Sequence, residues 1–311
     1  MNRTYLAGIA CLVSVTAIWG STFPLTKDLL LRLPVADLYA VRFAIAVAVL
    51  VAIRPKALAG LSRRTWLTGV ALGLVYGAAL VVQTFALIEL PSSVSGFVTG
   101  SYLVLTPLLA WLWTRHAPER STWLAVALAT AGMAAFTLLS GGDAGGVIEA
   151  GPVALTLLSA VLYAVHIVAL GRWSSPAEAY PLAIIQILTL TVIMWVAAAP
   201  GGVALPASAG DWAGVLYLAT IAGAFTFLAQ TWAQAHVPPT AAAVVISAEP
   251  LWATGFAFAL YGEALTWPVL VGGTCVVAAM ILVAWPRREA TVPDWLPEEA
   301  TCPASPVPPG H

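Results

Sequence analysis

Most of the chain consists of long apolar runs, each about the length of a membrane-spanning helix. A helix needs about 20 predominantly apolar residues to cross a bilayer. Only 9% of the 311 residues are charged, whereas soluble domains carry about 25%. The ten runs lie at residues 5–26, 35–53, 66–88, 91–114, 122–139, 152–171, 180–199, 212–235, 238–260 and 267–285. The sequence therefore predicts an all-α membrane protein with ten transmembrane helices in a lipid bilayer.

The distribution of Lys and Arg predicts which face of the membrane each loop occupies. Cytoplasmic loops are enriched in these residues. With the N-terminus inside, ten basic residues lie on the inner side, and Lys27 and Arg32 alone lie on the outer side. We therefore expect a multi-pass protein of the bacterial plasma (inner) membrane with both termini cytoplasmic. The net charge of −1 carries no information about a nucleic-acid partner, and because no basic patch suggests one, we expect none.

Two halves of the chain share a spaced motif. The pattern Gln-Thr-x-Ala-x₄-Pro occurs at residues 83–91 and again at residues 230–238. Trp19 aligns roughly with Tyr163. Each half would hold five spans, and because five is odd, the second half would cross the membrane in the opposite orientation. Inverted repeats of this kind are common in secondary transporters.

The repeat predicts how the chain divides. The first five-helix repeat is expected at residues 1–140 and the second at residues 150–286. Residues 287–311 are rich in Pro and acidic residues and lack an apolar period. We expect this tail to be disordered in the cytoplasm.

Several short motifs occur in a characteristic order along the chain. They are Trp19–Pro24, Arg42-Phe43, Gln83–Leu87, Glu249-Pro250 and Tyr261–Leu265. In order, spacing and duplication this set resembles the EamA-type family of the drug/metabolite transporter superfamily, over residues 5–285. The resemblance implies ten helices, an inverted repeat, a central cavity and the transport of small metabolites such as amino acids.

Glu249 lies in the middle of a long apolar run and directly precedes Pro250. A charged side chain at the centre of a membrane helix costs about 2.5–3.5 kcal/mol, and Pro interrupts helical hydrogen bonding. Such an acid is tolerated mainly where it lines a protein cavity. We expect Glu249 to bind substrate or couple transport to protons. The alternative is a protonated or helix-paired Glu that serves packing.

Arg42 lies about seven residues inside the second span, about 10 Å below the outer surface at about 1.5 Å per residue. Arg stays charged at any working pH, so it needs a partner. The sequence leaves Glu249, Asp37, Asp28 and a substrate carboxylate as partners. Snorkelling of the side chain to the outer interface is the alternative.

Polar and aromatic side chains within the spans supply further candidates for substrate binding. Gly20 and Pro24 predict a kinked first span. Such a kink would turn three side chains towards the interior of the bundle: Trp19, Ser21 and Thr22. The other candidates are Gln83, Tyr102, Tyr163, Gln230 and Trp252. Ordinary packing and hydrogen bonds between helices are the alternative role of each.

The sequence contains no catalytic motif, nucleotide-binding loop or metal-ligand spacing. We therefore expect no enzyme activity, cofactor or metal. The predicted function is secondary transport of a small molecule, an amino acid or a related amphipathic compound, by alternating access and in the direction of efflux. An intramembrane enzyme acting on a lipid-linked substrate is the alternative.

A stripe of glycines in the third span, Gly69, Gly73 and Gly77, predicts a close helix contact. Small residues at four-residue spacing allow helix backbones to approach each other in a membrane. A contact within one chain is the first interpretation. The same stripe would also allow a homodimer.

Overall fold

The computed structural model describes residues 3–90, 95, 98–115, 117–139, 150–249, 251–252, 255–256 and 267–284. Within these residues the chain is helical and has no strand. Three features named from the sequence lie outside them. These are Pro250, the motif Tyr261–Leu265 and the tail at residues 287–311.

The helices follow the apolar runs of the sequence. They are α1 (Arg3–Leu30), α2 (Val35–Ile53), α3 (Arg63–Glu89), α4 (Tyr102–Thr114), α5 (Arg120–Leu139), α6 (Ala150–Trp173), α7 (Ala179–Ala198), α8 (Ala209–Gln234), α9 (Pro239–Ile246) and α10 (Trp267–Ala284). Six of them, α1–α3 and α6–α8, are long and apolar enough to cross a membrane. The all-α fold is thus confirmed, whereas the count of ten spans stays a prediction.

Local sequence signals begin several of these helices. The Ser62 hydroxyl accepts a hydrogen bond from the backbone N–H of Thr65 at 3.0 Å, at the start of α3. Ser208 caps α8 in the same way through the N–H of Asp211. Pro34 and Pro238 directly precede α2 and α9. Such residues favour a helix start because they satisfy or remove backbone donors that the first turn leaves unpaired.

The helix contacts between the two halves are symmetric: each contact has a counterpart in which the two halves have exchanged places. Helix α2 packs against α7, α4 against α9, and α5 against α10. Helix α1 packs against α8, and α6 packs against α3, which is the corresponding pair. A pseudo-two-fold relation between two similar halves produces such a pattern.

Glycines bring α3 and α7 into close contact. Gly69 faces Ile185, and Gly73 faces Gln186 and Thr189. A Cβ atom on Gly73 would lie 2.8 Å from the Thr189 Cβ and 2.9 Å from the Gln186 carbonyl oxygen. The stripe therefore packs within one chain, as the first interpretation of the sequence expected.

Arg32, in the connection after α1, joins the two halves through an ion pair. Its Nε donates to Asp211 Oδ1 at 2.9 Å, at the start of α8. Its Nη1 donates to Asp28 Oδ1 at 3.2 Å. The two carboxylates raise the pKa of the Arg32 guanidinium above its ordinary value. Because the group is largely exposed, we expect the contact to orient the helix ends rather than to stabilise the fold strongly.

We expect Gly73→Ala to lower the melting temperature of the purified protein in detergent. The added methyl group would press on the backbone of α7, and overpacking of this kind costs about 1–3 kcal/mol. Gly77→Ala is the matched control, because its Cβ would lie 3.4 Å from Leu190 Cγ, an ordinary contact. Equal melting temperatures for the two variants would contradict the close packing of α3 on α7.

Candidate functional site

A cavity lies inside the bundle and is lined by residues from both halves. The cavity has a volume of about 120 Å³, which is enough for several water molecules or a small solute. Aromatic and polar side chains make up most of its wall, on α1–α4 from the first half and on α6, α8 and the segment after α9 from the second. A polar cavity surrounded by apolar helices is the kind of place where a membrane protein binds a ligand.

Most of the candidate residues named from the sequence meet in this cavity. Its wall includes Trp19, Thr22, Arg42, Gln83, Tyr102, Tyr163, Gln230 and Glu249. The repeat aligns six of these in pairs, and both members of each pair line the same space: Trp19 with Tyr163, Gln83 with Gln230, and Tyr102 with Glu249. The two halves thus contribute equivalent positions to a single site.

Ser21 and Trp252 are the candidates that do not line the cavity. The Ser21 hydroxyl donates to the Ile18 carbonyl at 2.7 Å and shares a hydrogen bond of 2.6 Å with the Tyr217 hydroxyl. It therefore connects α1 to α8. Trp252 packs half-buried against an apolar cluster that includes Val244. Its indole nitrogen has no hydrogen-bond partner among the described residues.

Helix α8 changes its winding beside the cavity. Residues Thr220–Phe225 form a π-helical turn between two α-helical parts. A π-helical turn interrupts the regular i→i−4 ladder of backbone hydrogen bonds, and such turns occur frequently at functional sites. Backbone carbonyls in and next to this turn accept hydrogen bonds from side chains on other helices.

Arg42 of α2 uses two of these carbonyls. Its Nε donates to the Leu218 carbonyl at 3.0 Å, and its Nη2 donates to the Ala222 carbonyl at 3.3 Å. The guanidinium carbon also lies 5.2 Å from the centroid of the Phe43 ring and 5.8 Å from that of Tyr39. Arg42 is only 8% exposed, so it does not extend to an interface as a snorkelling Arg does.

No carboxylate among the described residues pairs with Arg42. Asp37 accepts a hydrogen bond from the backbone N–H of Ala204 at 3.0 Å instead. Asp28 binds Arg32. The protein partners that the sequence allowed for Arg42 are therefore engaged elsewhere or, in the case of Glu249, form no ion pair with it.

The Glu249 carboxylate faces the cavity from the segment after α9. It has no hydrogen-bond or ion-pair partner in the part of the chain that the structure describes. Tyr76, Tyr102 and Tyr163 line the same cavity. A partner on a neighbouring helix, as the alternative packing role of Glu249 requires, is not found among the described residues.

Hydrogen bonds between helices hold the aromatic wall in place. The Tyr163 hydroxyl donates to Gln83 Oε1 at 2.8 Å, and Gln83 Nε2 donates to Thr99 Oγ1 at 3.1 Å. On the opposite pair of helices, Trp19 Nε1 donates to Thr226 Oγ1 at 3.1 Å. These bonds join α6 to α3 and α1 to α8, which are corresponding contacts of the two halves. They fix the direction of the rings.

Gln230 also belongs to a polar network. Its Nε2 donates to Gln234 Oε1 at 3.1 Å, and Gln234 Nε2 donates to the Ile167 carbonyl at 3.0 Å. Hydrogen bonding between helices, the alternative role considered for the two glutamines, is therefore part of what they do. Both remain on the cavity wall.

The wall also includes residues that were not among the candidates, among them the aromatic residues Tyr39 and Tyr76. Each shares a helix face with a named candidate, because the spacings of three and seven residues return to the same face. The corresponding neighbours are Arg42 and Gln83. Helical spacing from the candidates was the signal that could have found them.

Among the described residues, no group of three or more His, Cys, Asp or Glu side chains is arranged to hold a metal ion. His166 lies instead 2.9 Å from Gln186, through its Nε2 and the amide Oε1. The chemistry that the described part of the wall offers is that of hydrogen bonds, aromatic faces, the His166 imidazole, the Arg42 guanidinium and the Glu249 carboxylate.

An apolar helical bundle around a polar cavity is the architecture of a membrane transport protein. Comparison with known proteins agrees. The model of the EamA-like transporter family matches residues 6–138 and 151–285, so the chain belongs to this family. The resemblance noted from the motifs is confirmed, and the protein is a multi-pass membrane transporter with two EamA repeats.

Individual relatives are more distant. A protein of Archaeoglobus fulgidus described as an uncharacterized transporter is 27% identical over 277 residues, which are 88% of this chain and 84% of that protein. One crystal structure has a TM-score of 0.72 at 18% identity, and the match covers 88% of this chain and 95% of the other. At that identity the likeness shows the fold alone.

We expect Arg42→Lys to lower the melting temperature in detergent. Lys keeps the charge, but a single ammonium group cannot reproduce the fork that reaches both carbonyls of α8. The loss of one charge-assisted hydrogen bond corresponds to about 1.5–3 kcal/mol. Arg54→Lys is the control, because Arg54 is exposed at the end of α2. An unchanged melting temperature in Arg42→Lys would show that the carbonyl contacts do not hold this side chain.

Proposed function

We propose that the protein is a secondary transporter that moves small metabolites, amino acids or related amphipathic compounds, across the bacterial plasma membrane. Transport occurs by alternating access through the central cavity, in the direction of export. The observation that carries this proposal is that equivalent positions of both halves line one polar cavity. No cofactor takes part, and the substrate and the bilayer are the partners.

The position of the cavity supports an alternating mechanism. On α1 its wall begins at Trp19 and continues to Thr26, in the C-terminal half of the helix. On α2 the wall includes Tyr39, near the start of that helix. On α8, which crosses in the opposite direction to α1, the wall includes Gln230, near the C-terminal end of the helix. The wall thus draws on both ends of the bundle, as a site that faces each side in turn requires.

The packing of the two halves, which is the same when the halves are exchanged, allows the bundle a second conformation. In the proposed arrangement, residues 1–140 and 150–286 are inverted repeats, so each half can adopt the conformation that the other now has. Such an exchange closes the site towards one face and opens it towards the other. The corresponding contacts of α1 with α8 and of α6 with α3 are the surfaces that would exchange geometry.

Glu249 is the residue that couples transport to protons in this proposal. Its carboxylate lines the cavity, which gives it access to water. A group of this kind can release and regain a proton as the site faces each side in turn. Its lack of a protein partner among the described residues supports a role that involves a ligand or a proton.

We expect Glu249→Gln to abolish accumulation driven by a pH gradient while the protein still inserts and folds. The test uses purified protein in proteoliposomes, a panel of amino acids and small aromatic compounds, and a pH gradient that is imposed and then collapsed. Glu89→Gln is the matched control, because Glu89 is exposed at the end of α3.

Each outcome of this assay has a definite meaning. Accumulation that disappears on collapse in the wild type, and is missing in Glu249→Gln, supports proton-coupled transport. Gradient-driven uptake that survives in Glu249→Gln overturns the coupling role. If no solute moves and a lipid-linked compound is instead chemically converted, the intramembrane enzyme replaces the transporter as the explanation.

A further inference from the structure

We propose that the cavity selects small zwitterions, with the substrate carboxylate bound by Arg42 and the substrate ammonium bound by Glu249. This inference rests on the proposed transport function and narrows its substrate class. It follows from two side chains of opposite charge that face the same cavity and do not pair with each other.

The guanidinium of Arg42 has more hydrogen-bond donors than its contacts with described residues use. A guanidinium carries five N–H donors in a rigid fork. Two of them bind carbonyls of α8, and the remaining donors have no acceptor among the described residues. The side chain is 8% exposed and lines the cavity. A carboxylate is the group that such a fork binds best, through two parallel hydrogen bonds.

The surroundings of Arg42 prepare it for this role. The Leu218 and Ala222 carbonyls hold the guanidinium from one side, and the rings of Phe43 and Tyr39 lie beside it. The guanidinium is therefore fixed in position at the cavity wall before any ligand arrives. A binding group that is already ordered loses less entropy when the complex forms.

Glu249 presents the complementary chemistry. An ionised carboxylate accepts hydrogen bonds only, and an ammonium group donates three. The nearby side chains of Tyr76 and Tyr102 supply aromatic faces, which attract a cation further. Their hydroxyls form no hydrogen bond within the described part of the chain, so they too are available to a ligand.

The two charges occupy different places in the two halves. The position of Glu249 is taken in the first half by Tyr102, which is neutral. Gln186 follows Tyr163 at the same spacing at which Arg42 follows Trp19, so a neutral amide stands where the first half has its cation. The first half therefore contributes the positive charge and the second half the negative charge.

A zwitterion is the ligand that satisfies both charges together. Tyr76 and Tyr163 line the same cavity as Arg42 and Glu249. A monoanion would leave Glu249 without a partner, and a monocation would leave Arg42 without one. An unpaired buried charge is unfavourable in a membrane, so each of these ligands should bind less well.

The test measures binding and transport of matched ligands by the full-length protein. The probes are the common amino acids, their amides, which are monocations, and their N-acetyl derivatives, which are monoanions. We expect the transported amino acids to bind at least about tenfold more tightly than either derivative, a difference of about 1.4 kcal/mol. Binding is measured by titration calorimetry in detergent, and transport in proteoliposomes.

Variants assign each end of the ligand to its residue. Arg42→Gln should weaken binding of amino acids and N-acetyl derivatives at least about tenfold and leave binding of the amides unchanged. Glu249→Gln should weaken binding of amino acids and amides and leave the N-acetyl derivatives unchanged. The exposed residues Arg54 and Glu89 supply the controls Arg54→Gln and Glu89→Gln, which should match the wild type.

Failure of the inference is distinct from failure of the transport function. Transport of solutes with equal preference for amides or N-acetyl derivatives overturns the zwitterion site and leaves the transporter standing. If no solute of any class moves, both proposals fail. Equal weakening of all three ligand types by both variants would show a structural role only. If Arg42→Gln does not fold, the preference of the wild type among the three ligand types decides the matter.

Discussion

The site depends on the contact between Arg42 and the backbone of α8. Inside a bilayer there is no bulk water to satisfy a bare carbonyl or a charged side chain. Arg42 donates to the carbonyls of Leu218 and Ala222, which lie next to and within the π-helical turn of α8. These acceptors make the charged side chain tolerable at this depth. The same contact holds the guanidinium at the cavity wall.

The symmetric packing of the halves and the asymmetric charges have different consequences. In the proposed mechanism, packing that is unchanged when the halves are exchanged provides two arrangements of similar energy. In the proposed zwitterion site, charges at non-equivalent positions give a bound ligand one preferred orientation. Hydrogen bonds from Tyr163 to Gln83 and from Trp19 to Thr226 follow the symmetry and hold the wall around that ligand.

Helix positions and most of the site could be predicted from the sequence, because apolar runs determine the helices and a buried polar residue is expensive wherever it lies. The direction of each side chain could not. The helices are apolar on nearly all faces, so periodicity does not reveal which face is internal. The sequence therefore did not distinguish Ser21 and Trp252, which do not line the cavity, from Thr22 and Tyr102, which do. The π-helical turn that binds Arg42 also carries no sequence signal we could recognise.

The most direct test of the account is the accessibility of Thr22, a cavity residue of α1. Thr22→Cys is made in a chain whose cysteines, Cys11, Cys275 and Cys302, are replaced by Ala, and a membrane-impermeant thiol reagent is added from each side. Phe85→Cys, at an exposed position of α3, is the control for lipid-facing sites. The account predicts that Cys at position 22 reacts from both sides and is protected by a transported solute. Reaction from one side only, or from neither, would contradict alternating access through this cavity.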